Sequence, residues 1–141
     1  MIRLQLITIS GTKFDDDVYE VLLPTLDGRI GVLRDHMPLI SAVTGGTIRL
    51  RRQQRDPDSA MEAFACSGGV LEVADNTLRV IVDEADSGDD INEAEAEAAL
   101  KRAEKMKREA KDQVSLEHAQ NQVDRQATRL HVAGLRRRKS R

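Results

Sequence analysis

The stretch VIVDEADSGDDINEAEAEAAL, residues 80–100, is where the chain changes character. On its N-terminal side Leu78, Val80 and Val82 occupy every second position, the period of a half-buried strand. After Ile91 no proline follows, no glycine appears before Gly134, and strong helix formers dominate. The run DSGDD, residues 86–90, separates two kinds of periodicity. The chain therefore divides into a β part, residues 1–86, and an α part, residues 87–141.

Moving back from the boundary, IRLQLITI puts Ile2, Leu4 and Leu6 on one face and Arg3 and Gln5 on the other. TIRLRR places Ile48 and Leu50 inward and Arg49 and Arg51 outward. Turn signals punctuate these runs at Ser10-Gly11, Asp27-Gly28, Gly45-Gly46, Asp56-Pro57-Asp58, Ser67-Gly68-Gly69 and Asp75-Asn76. Many short alternating strands at such spacing predict a sandwich or barrel. Phe14, Tyr19 and Phe64 are the only aromatic residues, so aliphatic side chains must fill its core.

Moving forward, Asp90 reads as a helix N-cap, with Glu93 completing a capping box. Leu116, Ala119, Val123, Leu130 and Ala133 recur at helical spacings in a narrow stripe, which predicts packing against one partner helix. Asp112 to Ser115 offers local side-chain bonding that interrupts the run, giving two helices folded as a hairpin; a single unbroken helix is the alternative.

Charge divides at the same point. Residues 1–86 carry nine basic and fourteen acidic side chains, whereas residues 87–141 carry thirteen and ten. The overall charge of -2 leaves no global basic field to recruit nucleic acid or membrane. The closing RRRKSR, residues 136–141, is either a solvated end or an electrostatic contact for an acidic partner. No apolar run approaches the roughly 20 residues that span a bilayer. MIRLQLITIS alternates and does not read as a signal peptide. The single cysteine, Cys66, excludes an internal disulfide and reads as a small buried hydrophobe.

The candidate for chemistry is DGRIGVLRDHMPL, residues 27–39, where His36 stands near Asp27 and Asp35. His118 and His131 lie on the helical part, and neither HExxH spacing nor a G-x-S-x-G elbow is present. Gly28, Gly31 and Pro38 read as backbone devices: a tight turn, the start of a strand and a stop. SGGVLEV, residues 67–73, lacks the Gly-Lys-Ser/Thr of a phosphate loop and precedes a strand. His36 is thus expected to be a surface or turn residue on a docking face, not a metal ligand or general base.

Two stretches carry a family resemblance. PTLDGRIGVLRDHMPLISAVTGGTIRL, residues 24–50, followed by SGGVLEVADNTLRVIVDEAD, residues 67–86, resembles the epsilon-subunit family of F-type ATP synthases. RLHVA, residues 129–133, is similar to that family's pattern late in its second helix. The resemblance implies a ten-stranded β-sandwich followed by a two-helix hairpin. It implies a non-catalytic rotor subunit that couples ion translocation to ATP synthesis, with no metal and no cofactor, peripheral to the cytoplasmic face of a bacterial membrane. The implied partners are the gamma subunit, the ring of c subunits and, transiently, the alpha and beta subunits of the catalytic head. Asp27, Gly28, Arg29 and His36 would face gamma and the ring. Arg29 stands where the family has an acid.

In the same resemblance the hairpin lies folded on the sandwich or extends to restrain ATP hydrolysis. Arg136, Arg137, Arg138, Lys139 and Arg141 are then the candidates for contact with an acidic part of the head. Many relatives bind ATP through (I/L)-D-x-x-R-A on the first helix and two arginines on the second. Here the motif reads INEAEA: Ile91 and Ala96 match, but Asn92 replaces the acid and Glu95 the arginine. Arg125 and Arg129 do match. They are expected to pair with acids such as Glu93 or Glu95 across the hairpin, and ATP binding is expected to be poor. The reading from another class is a small adaptor or nucleic-acid-binding protein using the basic tail; the acidic, aromatic-poor β part offers it no stacking platform.

Overall fold

A computed structural model describes residues 1–139. The strands are β1 (Ile2–Thr8), β2 (Gly11–Val18), β3 (Glu20–Thr25), β4 (Gly28–Leu33), β5 (Leu39–Val43), β6 (Gly46–Arg51), β7 (Glu62–Cys66), β8 (Gly69–Ala74), β9 (Thr77–Val82) and β10 (Ala85–Ser87). Two helices follow, α1 (Glu93–Glu109) and α2 (Gln113–Lys139).

Pairing runs β10-β7-β6-β3-β5-β8-β9-β1-β2, with β4 on the other side of β3. The path bends at β3, whose Glu20–Leu22 pairs with β6 while Thr25 pairs with Val43 of β5. The two halves face each other over one core. Ile2, Leu4, Leu6, Leu71, Leu78 and Val80 meet Val21, Leu23, Val32, Ile48 and Leu50, all buried. The residues that alternate in sequence are those the core takes, because a strand sends alternate side chains to opposite faces. At the far edge Phe14 of β2 meets Phe64 of β7 edge-on, with centroids 6.3 Å apart. Arg52 covers Phe14 at 4.9 Å and bonds Glu62 and Asp16, joining the two halves there.

Gly28 has φ +111°, a left-handed conformation that most residues adopt only with strain, so the β3–β4 turn needs glycine. Gly31 does not start a strand; it lies within β4, opposite Leu22, with Leu22 Cδ2 3.4 Å from where a Cβ would stand. Asp75 and Asn76 both have positive φ, which twists the two-residue β8–β9 turn to match its strands.

Strand β7 alternates between two covered faces. Phe64 and Cys66 enter the sandwich core, while Ala63 and Ala65 face the helices. There Ala65 packs with Ile91, Ala96, Val132 and Ala133, and Leu130 joins the edge. The stripe on α2 is thus wider than one partner helix requires. Ala119 is fully buried, Leu116 is exposed, and Val132, outside the expected stripe, meets the sheet. Alanines on both sides let helix and strand approach closely.

The hairpin forms, and its break is the expected one. Asp112 accepts from the Ser115 amide at 2.7 Å and from its hydroxyl at 3.2 Å, capping α2. These bonds, the amide first, hold the Asp112 carboxyl below its ordinary pKa. The cap is complete at neutral pH and is lost as pH falls through that lowered value. The cap of α1 is not Asp90. Asn92 holds that place, its Oδ1 accepting from the Glu95 amide at 3.0 Å. Asp90 lies in a 3-10 turn (Gly88–Asp90) and accepts from Ser87 Oγ at 3.0 Å. The helix starts two residues later than the Asp90 capping box predicts, and Ile91, between the two positions, is buried against the sheet.

Cys66 is buried, as its strand position predicts. Burial, with a smaller effect of the Asp86 charge, pushes its thiol up to about 12. An ordinary cysteine titrates near 8.5, so thiolate at pH 8 is reduced about a thousandfold. Disulfide-exchange labelling at pH 8 should be slower by about that factor in the native chain than in denaturant. Equal rates would show that the thiol is open to solvent.

Candidate functional site

Asp27 and His36 do not share a site. Asp27 lies in the turn before β4 and His36 in the loop after it, and the six-residue strand between spans about 20 Å. At the first end Thr25 Oγ1 donates to the Gly28 carbonyl at 2.6 Å, closing a turn whose Leu26, Asp27 and Arg29 are exposed. At the second end Asp35, with φ 60°, donates its amide to Asn76 Oδ1 at 3.0 Å, and Asn76 Nδ2 donates to the Met1 carbonyl at 2.9 Å. The half-buried His36 ring donates from Nδ1 to the Met37 carbonyl at 2.7 Å. Among the described residues no group of three or more His, Cys, Asp or Glu side chains could hold a metal ion.

A different surface emerges from the strand register. Ala42 pairs with Val70, Val70 with Ile81, and Ile81 with Ile7, so outward-facing apolar residues form a row across β5, β8, β9 and β1. Val70 is 49% exposed and Ile81 52%, and Ile40, two residues before Ala42, is 74% exposed. Such a row on an open sheet face is the usual mark of a contact surface. The sequence carries a partial signal: the outward positions of β1 run Arg3, Gln5, Ile7 and those of β9 run Arg79, Ile81, so each turns apolar at the end where the row forms.

On the hairpin, Glu95, Arg125 and Arg129 line one cleft of about 390 Å³ between α1 and α2, together with Arg102, His118 and the buried Gln126. Asn92 is not on that lining, and its side-chain oxygen serves the helix cap. The arginines do not pair with Glu93 or Glu95. Arg125 bonds Glu84 at 2.8 Å and Arg129 bonds Asp86, both acids of the sandwich end. The hairpin is docked on the β10–β7–β6 face, which brings these acids nearer than those of α1.

The basic tail is largely helix. α2 runs to Lys139, Arg136 bonds Asp89 at 2.6 Å, Arg137 bonds Glu93 at 2.8 Å, and Arg138 donates to the Gly134 carbonyl at 3.4 Å. Arg141 lies outside the described residues. Among the described residues no helix is long and apolar enough to cross a membrane.

Comparison with known proteins places this architecture. Residues 1–88 match the family described as "ATP synthase, Delta/Epsilon chain, beta-sandwich domain". Residues 89–134 match "ATP synthase, Delta/Epsilon chain, long alpha-helix domain". The ATP synthase epsilon chain of Gloeobacter violaceus is 33% identical over 133 residues, 94% of this chain and 97% of that protein. That of Lactobacillus delbrueckii subsp. bulgaricus is 33% identical over 137 residues, 95% of this chain and 93% of that protein. Among solved structures, a chain of the Euglena gracilis mitochondrial ATP synthase (OSCP/F1/c-ring) shares the fold with TM-score 0.77 at 19% identity, covering 94% of this chain and 80% of that one. A chain from the central stalk and c-ring of the Tetrahymena thermophila mitochondrial enzyme gives TM-score 0.59 at 16% identity, covering 94% and 92%. With both halves matched in order and close to full-length coverage by its relatives, the chain belongs to the epsilon-subunit family of F-type ATP synthases.

Proposed function

We propose that the chain is a non-catalytic rotor subunit, bound peripherally at the cytoplasmic face of a bacterial membrane. Its sandwich grips the gamma subunit and rests on the ring of c subunits, and its hairpin restrains ATP hydrolysis when extended toward the alpha and beta subunits. The observation that carries this reading is the exposed apolar row Ala42, Val70, Ile81 and Ile7, a surface suited to a permanent apolar partner. The turn at Asp27, Gly28 and Arg29 and the loop at His36 stand at opposite ends of β4, so they serve separate contacts. Their charges sit at rims, where they steer docking more than they hold it. Reconstitution tests the assignment. The full chain should bind a gamma and c-ring complex and lower ATP hydrolysis by the head, and deleting residues 136–141 should relieve that inhibition. Failure to bind gamma, or tight binding to an RNA or DNA probe instead, overturns it. The adaptor reading has less support because the β part is acidic and has only Phe14, Tyr19 and Phe64 as aromatic residues on which bases could stack.

ATP as a regulatory ligand fits this hairpin poorly. Glu95 puts a negative charge into the cleft, and Arg125 and Arg129 are engaged by Glu84 and Asp86. Losing a charged hydrogen bond to the ligand costs about 1.5–3 kcal/mol, and the carboxylate adds repulsion. Calorimetry should therefore detect no ATP binding below millimolar concentration, while Glu95→Arg, which reverses the charge in the cleft, should tighten binding at least about tenfold. Clear submillimolar binding by the unsubstituted chain, lost on Arg125→Ala, would refute this.

A further inference from the structure

We propose that the hairpin is held on the sandwich by a salt-released latch between α2 and the segment Glu84–Glu93, closed around Gly88. Among the described residues, four arginines of α2 each bond an acid of this one segment: Arg125 to Glu84, Arg129 to Asp86, Arg136 to Asp89 and Arg137 to Glu93. The acids follow one another in the same order as their arginines. The segment is also the connection between sandwich and hairpin, so the pairs close and open as a series.

Apolar packing beneath the latch is thin. Four of its seven residues are alanines, Ala63, Ala65, Ala96 and Ala133, and the others are Val132, Leu130 and Ile91. Alanine contributes little buried area, so charge and shape carry a large share of the docking. Shape is concentrated at Gly88. A Cβ there would stand 2.4 Å from Arg136 Cβ, 3.0 Å from Arg136 Cγ and 3.1 Å from the Val132 carbonyl. Only glycine permits the 3-10 turn (Gly88–Asp90) to lie this close to α2. The close approach in turn puts Asp89 within 2.6 Å of Arg136.

Arg129 and Asp86 are mostly shielded, with side-chain exposures of 20% and 27%, while the other three pairs are open enough for salt to screen them. The result is a hairpin whose release follows ionic strength. The device belongs to the isolated chain and does not depend on the partners proposed above. It also opposes extension, because Arg136 and Arg137 must leave Asp89 and Glu93 before they reach any other acid.

Spin labels at Ser59→Cys on the β6–β7 connection and Ala127→Cys on α2, with Cys66→Ala, read the state of the latch by double electron–electron resonance in the full chain. One narrow distance is expected at low salt. A broad, longer population should grow as NaCl rises to about 1 M, where screening acts over about 3 Å. Arg136→Asp should reduce the closed-to-open ratio about threefold or more, and adding Asp89→Arg should restore it. Gly88→Ala should open the hairpin at low salt, with sheet circular dichroism unchanged. A distance distribution that ignores salt, a double swap no better than its singles, or a closed hairpin in Gly88→Ala each overturns the latch. The salt titration needs no substitution in the latch, so it decides even if a variant folds poorly.

Discussion

Gly69→Ala should destabilise the sandwich more than any surface change in this chain, by about 3 kcal/mol or more. Gly69 opens β8 and pairs with Val82 of β9. A Cβ there would lie 2.0 Å from the Ile81 carbonyl oxygen, and 2.9 Å from both the Ile81 carbonyl carbon and Val82 Cα. These are backbone atoms, so no side chain can swing aside. Either the β8–β9 ladder parts at this end or the new methyl forces both strands to shift, and β5 pairs through Val43 with the same residue. A glycine in a strand marks such a close backbone approach. Thermal unfolding should show a midpoint lower by about 10 °C or more, given roughly 4 °C per kcal/mol for a domain of this size. A melting curve within about 2 °C of the parent would mean that the strands have slack to absorb the methyl.

Ile81→Lys combined with Val70→Asp should abolish stable binding to the gamma subunit while leaving the isolated chain folded. Both side chains point away from the core and are about half exposed, so their replacement removes little that holds the sandwich together. Stability should change by about 0.5 kcal/mol or less per position. Binding is different, because two charges driven into a closed apolar contact lose their water, and the ion pair they can form with each other across β8 and β9 only partly offsets that cost. Residues at the centre of an interface commonly cost 2 kcal/mol or more when altered, and two together should weaken the complex by about a hundredfold at least. Arg29→Glu, at an exposed turn, should chiefly alter the association rate and its salt dependence. Unchanged affinity in the double variant would remove the outer face from the docking surface and leave the loops as its seat.

What could be read from the amino-acid order were properties decided within a few residues. Ile2, Leu4 and Leu6, or Leu78, Val80 and Val82, alternate because strand geometry alternates, and all six are core. Gly28 is glycine because one backbone angle demands it, and Asp112 caps α2 because Ser115 is three residues on. Asn92, not the expected Asp90, caps α1, because Ile91 packs on the sheet and the helix begins only after it.

The functional geometry was settled at longer range. Ile7, Ala42, Val70 and Ile81 make one row only through the register of strands that meet from distant parts of the chain. Asp27 and His36, near in sequence, are parted by β4, which begins at Gly28, three residues before the strand start that the glycines suggest. Arg125 and Arg129 found Glu84 and Asp86 and not Glu93 or Glu95, because the pairing follows how α2 is rotated on β7. That rotation is chosen by Ala63, Ala65 and Gly88, whose smallness has no periodicity to read. Charges pair with whatever the packing brings within reach, and packing between elements is a tertiary quantity.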